Sequence, residues 1–173
     1  MKVLPVSQPH ASLVAIGKKR IVTRGWEPPT SLIGQTIAIH ATAGGLSKRD
    51  ELELLARNEC IYDALRHLAP EIDGDPRVVA REIRERLPRG AVIATARLVR
   101  VARISAHGAD RLALLNPEEH AFGDYTPGRF AWILDGAQAL AAPVPAKGRQ
   151  GIFDVPDHRL PGIPAQLPLD AAA

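Results

Sequence analysis

The grouping of the helical signal limits what this chain can fold into more than any other feature. Residues 47 to 87 read as a helical pair, whereas the stronger signals on either side read as short strands. Ser47 and Asp50 make a capping-box pattern, and Leu52, Leu55, Ile61, Leu65 and Leu68 recur near helical spacing until Pro70 stops the run. Asp75 and Pro76 open a second helix that carries Val79, Ile83 and Leu87 four residues apart. The charges between them read as a solvated face. Strands are predicted over residues 1–6, 20–24, 36–41 and 91–104, the last being the strongest signal, then over 130–134, with two short ones around 138–141 and 151–155. Ser7 is the expected N-cap of a two-turn helix, with Pro9 near its start and Gly17 as its stop. A doubly wound sheet needs strands and helices to alternate, and that alternation is missing. The predicted class is therefore α+β: a small mixed β-barrel with peripheral helices and a helical insertion at about 47–87. Residues 1–155 read as one domain, and residues 156–173 as a Pro/Ala-rich tail with little core to offer.

At 173 residues, 46% of them hydrophobic and 24% charged, the chain has the balance of a globular domain. No stretch approaches the roughly 20 apolar residues of a membrane helix. The apolar run at the start is broken by Pro5, Gln8, Pro9 and His10, which makes a poor signal peptide. Cys60 is the only cysteine, so no intrachain disulfide can form and a reducing cytoplasm is the expected setting. A net charge of +3 permits anionic partners without the dense basic surface of a DNA packager.

Familiar catalytic signatures are missing: there is no Walker-type loop, no GxGxxG after a strand, no GxSxG elbow and no HExxH. Histidines at 10, 40, 67, 107, 120 and 158 show no metal-ligand spacing, so neither a metal nor a cofactor is expected. What remains is a set of cations beside turn residues. "GKKRIVTRGW", residues 17 to 26, carries Lys18, Lys19, Arg20 and Arg24; Arg129 follows a Gly/Pro loop, and Lys147 and Arg149 stand near the C-terminus. Trp26, Phe122, Tyr125 and Trp132 accompany them in a chain only 4% aromatic. Bases splayed from a single strand stack on aromatic planes while cations hold the phosphates, so this interleaving suits RNA or nucleotide recognition. The alternative is that the tryptophans are core and the cations solvated. Lys18 and Arg20 read as solvated in either case. Asp124 and Tyr125 lie in "GDYTPG", which by itself reads as a tight turn. Glu118 and Glu119 read as first-turn acids that complement a helix dipole.

The segments "SQPHASLVAIGKKRIVTRGW", "IAIHA", "FGDYTPGRFAWIL" and "VPAKGRQGIFDVP" resemble, in order and spacing, the ASCH domain, a branch of the PUA-like superfamily. The resemblance covers both ends of the chain and leaves out the helical insert. It implies a PUA-like barrel whose cleft takes RNA, modified bases or nucleosides. It also implies an enzyme alternative, either an amidohydrolase acting on N4-acetylcytidine or a ribonuclease. Carried over by the motif, the ligand residues are Lys19, Arg24, Trp26 and the strand-end His40, with Gly128, Arg129 and Trp132 matching the late strand. Two positions depart from the pattern: His10 stands where a tryptophan is usual, and Val22 where Glu or Thr is usual. Valine can neither attack a carbonyl nor move a proton, and its neighbour Thr23 faces the other side of the strand unless a bulge re-aims it.

Two functions follow as expectations. In the first, the chain binds RNA, a nucleotide or a modified nucleoside, with Lys19, Arg24 and Arg129 meeting phosphate, Trp26 or Tyr125 stacking, and His40, Asp124, Lys147 and Arg149 completing the site. In the second it is a hydrolase in which a desolvated Lys19 acts as base or electrostatic stabiliser, assisted by Tyr125, Asp124 or His40. The helical insertion either caps the barrel or serves a protein partner.

Overall fold

Six strands build one mixed sheet: β1 (Lys2–Val6), β2 (Ile21–Arg24), β3 (Thr36–Ala41), β4 (Ala91–Arg103), β5 (Phe130–Pro145) and β6 (Phe153–Asp154). In this computed structural model, which describes residues 1–106 and 117–160, their order is β2-β5-β4-β3-β1-β6. Among the described residues, β1 and β3 make the only parallel pair. Around them stand α1 (His10–Ala15), α2 (Lys48–Arg57), α3 (Glu59–Leu65), α4 (Pro76–Arg86) and α5 (Pro117–Ala121).

The sheet is open, where the resemblance implies a closed barrel. The two edge strands, β2 and β6, do not pair with each other. Beyond β2 the chain enters Gly25 and then Pro28 and Pro29, and prolines have no N–H to donate to a ladder. A side chain bridges part of this gap: the Arg24 guanidinium donates to the Pro5 carbonyl of β1. β5 is also longer than predicted, because the segments 130–134 and 138–141 are one strand. Gly136 at φ 58° and shifts of register against β4 turn the expected break into a bulged bend.

Leu4, Val22, Ile37, Ile39, Leu98 and Trp132 fill one face of the sheet, beneath Ala11 and Val14 of α1. Burial of each such aliphatic side chain stabilises the fold by about 1.5–3 kcal/mol. Helix α1 is not capped by Ser7 as expected. Gln8, itself buried, accepts from Ser12 N at 3.1 Å and donates to the Pro88 carbonyl at 2.7 Å.

The insertion forms a second core from Leu55, Ile61, Leu65, Val79, Ile83 and Phe122, joined to the sheet through Leu13. Ser47 and Asp75 cap α2 and α4 as predicted. The first predicted helix is broken at Asn58, whose side chain accepts from Ile61 N at 3.1 Å and donates to the Ala121 carbonyl at 2.7 Å. The insert's charges are not all solvated, since Glu51 is buried between Arg84 and Arg89. The expected tail gives Leu160 to the core around Phe153, and residues 161–173 lie outside the described residues. Asn116, expected to open the turn at α5, also lies outside them. Among the described residues no helix is long and apolar enough to cross a membrane, and no group of three or more His, Cys, Asp or Glu could hold a metal.

Candidate functional site

Gly17, at φ 75°, ends α1 and turns the chain so that Lys19 N bonds the Leu13 carbonyl at 3.0 Å. This turn carries the Lys19 side chain inward, where it is only 3% exposed. Its ammonium meets Glu119 Oε1 at 3.2 Å, and Glu119 is itself 2% exposed. The same carboxylate accepts from Arg20 N at 2.6 Å, from Ile21 N at 3.1 Å and from the Tyr125 hydroxyl at 3.2 Å. Glu119 thus holds the entry of β2, the buried lysine and the tyrosine together. The dipole role expected of it describes exposed Glu118 instead, which lies 3.9 Å from Lys18. Burial lowers the Lys19 pKa, the attraction of Glu119 partly opposes that shift, and Arg24 adds to it.

Arg24 and Arg129 form the second half of the cluster. Arg24 has no ion-pair partner among the described residues. Burial lowers its pKa, and the field of Arg129 lowers it further. Arg129 reaches the Thr23 carbonyl at 3.3 Å and Asp124 at 3.4 Å, while its Nε is buried without a hydrogen-bond partner. His10 belongs here as well, although the sequence marked it only as a departure from a motif. Burial first, then Lys19 and Arg24, lower its pKa from 6.5 to about 4, and its Nδ1 is buried without a partner. Nothing local to His10 signals this, because Lys19 and Arg24 reach it only through the fold.

Lys19, Arg24, Tyr125 and Arg129 therefore converge, but not all in the expected roles. Tyr125 is buried and its ring stacks on His120 at 5.4 Å, so neither ring nor hydroxyl faces a base. Burial and Glu119 hold its hydroxyl protonated, far above the ordinary phenol range. Asp124 is exposed and accepts from the Thr126 hydroxyl and from Thr126 N at 3.0 Å, the tight-turn role; the hydroxyl first and then the amide lower its pKa. Trp132 is fully buried, whereas Trp26 is 39% exposed and meets it edge-on at 4.8 Å. Trp26 also lines an open hollow with Glu27, Pro28, Pro29 and Ile152.

Val22 lies in the main core opposite Trp132, and Thr23 lies on the other face opposite Ala131. The β2–β5 register runs without a shift, so no bulge brings Thr23 to the position of Val22. His40, Lys147 and Arg149 do not join the Lys19 cluster. They line a separate pocket with the two loops at 42–45 and 146–150. His40 donates through Nε2–H to the Ala146 carbonyl, 2.9 Å away, and packs edge-on against Phe153.

No protein-family model and no curated protein matches the chain. Solved structures do. An ASCH protein from Zymomonas mobilis superposes with a TM-score of 0.51 at 15% identity, over 91% of this chain and 89% of that one. A mutant of that protein gives 0.50 at 16% identity over the same shares. At such identity the likeness is one of fold. The fold of this chain is that of an ASCH domain.

Proposed function

We propose that this ASCH-fold chain binds RNA, a nucleotide or a modified nucleoside at the basic cluster around Arg24 and Arg129. One observation carries the reading: two half-buried guanidiniums repel each other, and Arg24 has no carboxylate partner among the described residues. A phosphate between them would relieve that repulsion and supply charge-assisted acceptors. Arg129 Nε, buried and unpaired, is a further donor held ready. The open face of Trp26 offers the stacking surface that Tyr125 does not.

The measurement is titration of a short single-stranded RNA and of a nucleoside monophosphate into the full chain. Affinity is expected to fall as salt rises. Arg24→Ala should weaken binding by about tenfold or more, the loss of one hydrogen bond to a charged group. Trp26→Ala should weaken RNA binding and leave the salt slope unchanged. Binding that ignores both salt and Arg24→Ala would overturn the proposal.

The desolvated Lys19 supports a second reading, a hydrolase of N4-acylated cytidine or of RNA. The neighbourhood favours it less. Lys19 is ion-paired with Glu119, the hydroxyl of Tyr125 is held protonated, and no Thr replaces Val22. Release of acetate from N4-acetylcytidine by wild type, abolished in a folded Lys19→Met variant, would establish it.

A further inference from the structure

The pocket that collects His40, Lys147 and Arg149 is lined by none of the Lys19, Arg24 and Arg129 cluster, and its construction differs. Two loops face each other across about 600 Å³: "TAGG" at 42–45, after β3, and "AKGRQ" at 146–150, after β5. Gly90 joins them, bonding the Ala41 carbonyl through its N–H at 2.8 Å and Ala146 N through its carbonyl at 3.0 Å.

Four features point the same way. No Asp or Glu lines the pocket, whereas Lys147 and Arg149 do, and neither has an ion-pair partner among the described residues. The backbone N–H groups of Ala43, Gly44 and Gly45 on one wall, and of Lys147, Gly148, Arg149 and Gln150 on the other, have no hydrogen-bond partner among the described residues. Such runs of free amides make anion-binding concavities. Glycine is required where the walls are tightest: a Cβ on Gly148 would sit 2.8 Å from the His40 ring, and one on Gly45, at φ 147°, would sit 2.7 Å from Ser7 Cβ. Finally, His40 is 1% exposed, and its Nδ1 is buried with no partner. In the tautomer whose Nε2–H donates to the Ala146 carbonyl, Nδ1 is an acceptor that lacks a donor.

We propose that this pocket is a second ligand site, separate from the Arg24–Arg129 cluster, that binds the phosphate of a hydroxyl-bearing phosphate monoester. Loop amides, Lys147 and Arg149 take the phosphate oxygens. His40 Nδ1 accepts a hydrogen bond from a hydroxyl of the ligand once the glycine loop over its ring shifts. The pocket is several times larger than a phosphate, which leaves room for the esterified part. This assignment does not rest on the RNA-binding reading of the other cluster.

The test titrates ribose 5-phosphate, inorganic phosphate and ribose into the full chain, following the amide resonances of residues 43–45 and 147–150. Ribose 5-phosphate should bind and shift these amides, and ribose should not. The Lys147→Ala/Arg149→Ala double variant, at exposed positions where folding is unaffected, should weaken ribose 5-phosphate at least tenfold, and Arg24→Ala should leave it unchanged. Tighter binding of ribose 5-phosphate than of inorganic phosphate assigns the site to the ester, and equal binding assigns it to free phosphate. Unchanged affinity in the double variant overturns the proposal. So does affinity lost in Arg24→Ala alone, which would return the phosphate to the first cluster.

Discussion

Glu119→Ala is expected to destabilise the protein by about 3–5 kcal/mol, because it strands a buried ammonium. Lys19 is 3% exposed, and Glu119 is its ion-pair partner at 3.2 Å. The same substitution leaves Arg20 N, Ile21 N and the Tyr125 hydroxyl without the acceptor that now serves them. Water cannot enter easily to replace it, so the desolvation penalty of these groups is incurred. For a chain of this size the melting temperature should fall by roughly 10 °C. Glu118→Ala is the control: Glu118 is exposed, its contact with Lys18 is 3.9 Å, and the change should stay within about 0.5 kcal/mol. Glu119→Gln keeps the shape and removes the charge, so it should remain strongly destabilising. Adding Lys19→Met to it removes the unpaired cation and should recover part of the loss. Thermal and urea unfolding of the four variants decide the matter. If Glu119→Ala melted like Glu118→Ala, the buried pair would not hold β2 in place.

The division between Glu118 and Glu119 shows where the sequence stops being informative. Both are acids in the first turn of a short helix, and local rules assign both to the helix dipole. Which one turns inward depends on where α5 meets the entry of β2, a contact across about a hundred positions that no local pattern carries. Tyr125 fails for the same reason. An aromatic in a Gly/Pro loop looks available for stacking, but Glu119 draws its hydroxyl inward. By contrast, the strands 36–41 and 91–103, the caps at Ser47 and Asp75 and the opposite facing of Val22 and Thr23 rest on short-range periodicity and turn chemistry, and these were legible. Closure of the sheet was not. It depends on whether the two short edge strands β2 and β6 meet, which no local pattern in either strand carries. The basic residues read as one site also divide into two sets, because His40, Lys147 and Arg149 line a pocket that Lys19, Arg24 and Arg129 do not line.

Between about pH 6.5 and pH 4 the protein should lose stability through His10, and the sign follows from its surroundings. Burial and the nearby Lys19 and Arg24 lower the folded-state pKa from 6.5 to about 4. Unfolded, the imidazole is free of both. In this window the unfolded chain therefore binds a proton that the folded chain refuses, so stability falls as pH falls. Above pH 6.5 both states are neutral and the contribution is flat; below pH 4 both are protonated and no further loss arises from this residue. The shift corresponds to about 3 kcal/mol across the window. Urea unfolding of wild type and His10→Gln at pH 7, 5.5 and 4 isolates it, since Gln cannot titrate and the other groups are common to both. The wild-type curve should drop more steeply, and the two should run in parallel if His10 is not the group responsible. Ligand binding should soften the slope. An anion seated at Arg24 and Arg129 offsets part of the cationic field that His10 feels, raises its folded-state pKa and brings the two states closer in proton affinity. Repeating the series with saturating nucleoside monophosphate therefore connects the titration of one histidine to occupancy of the arginine pair.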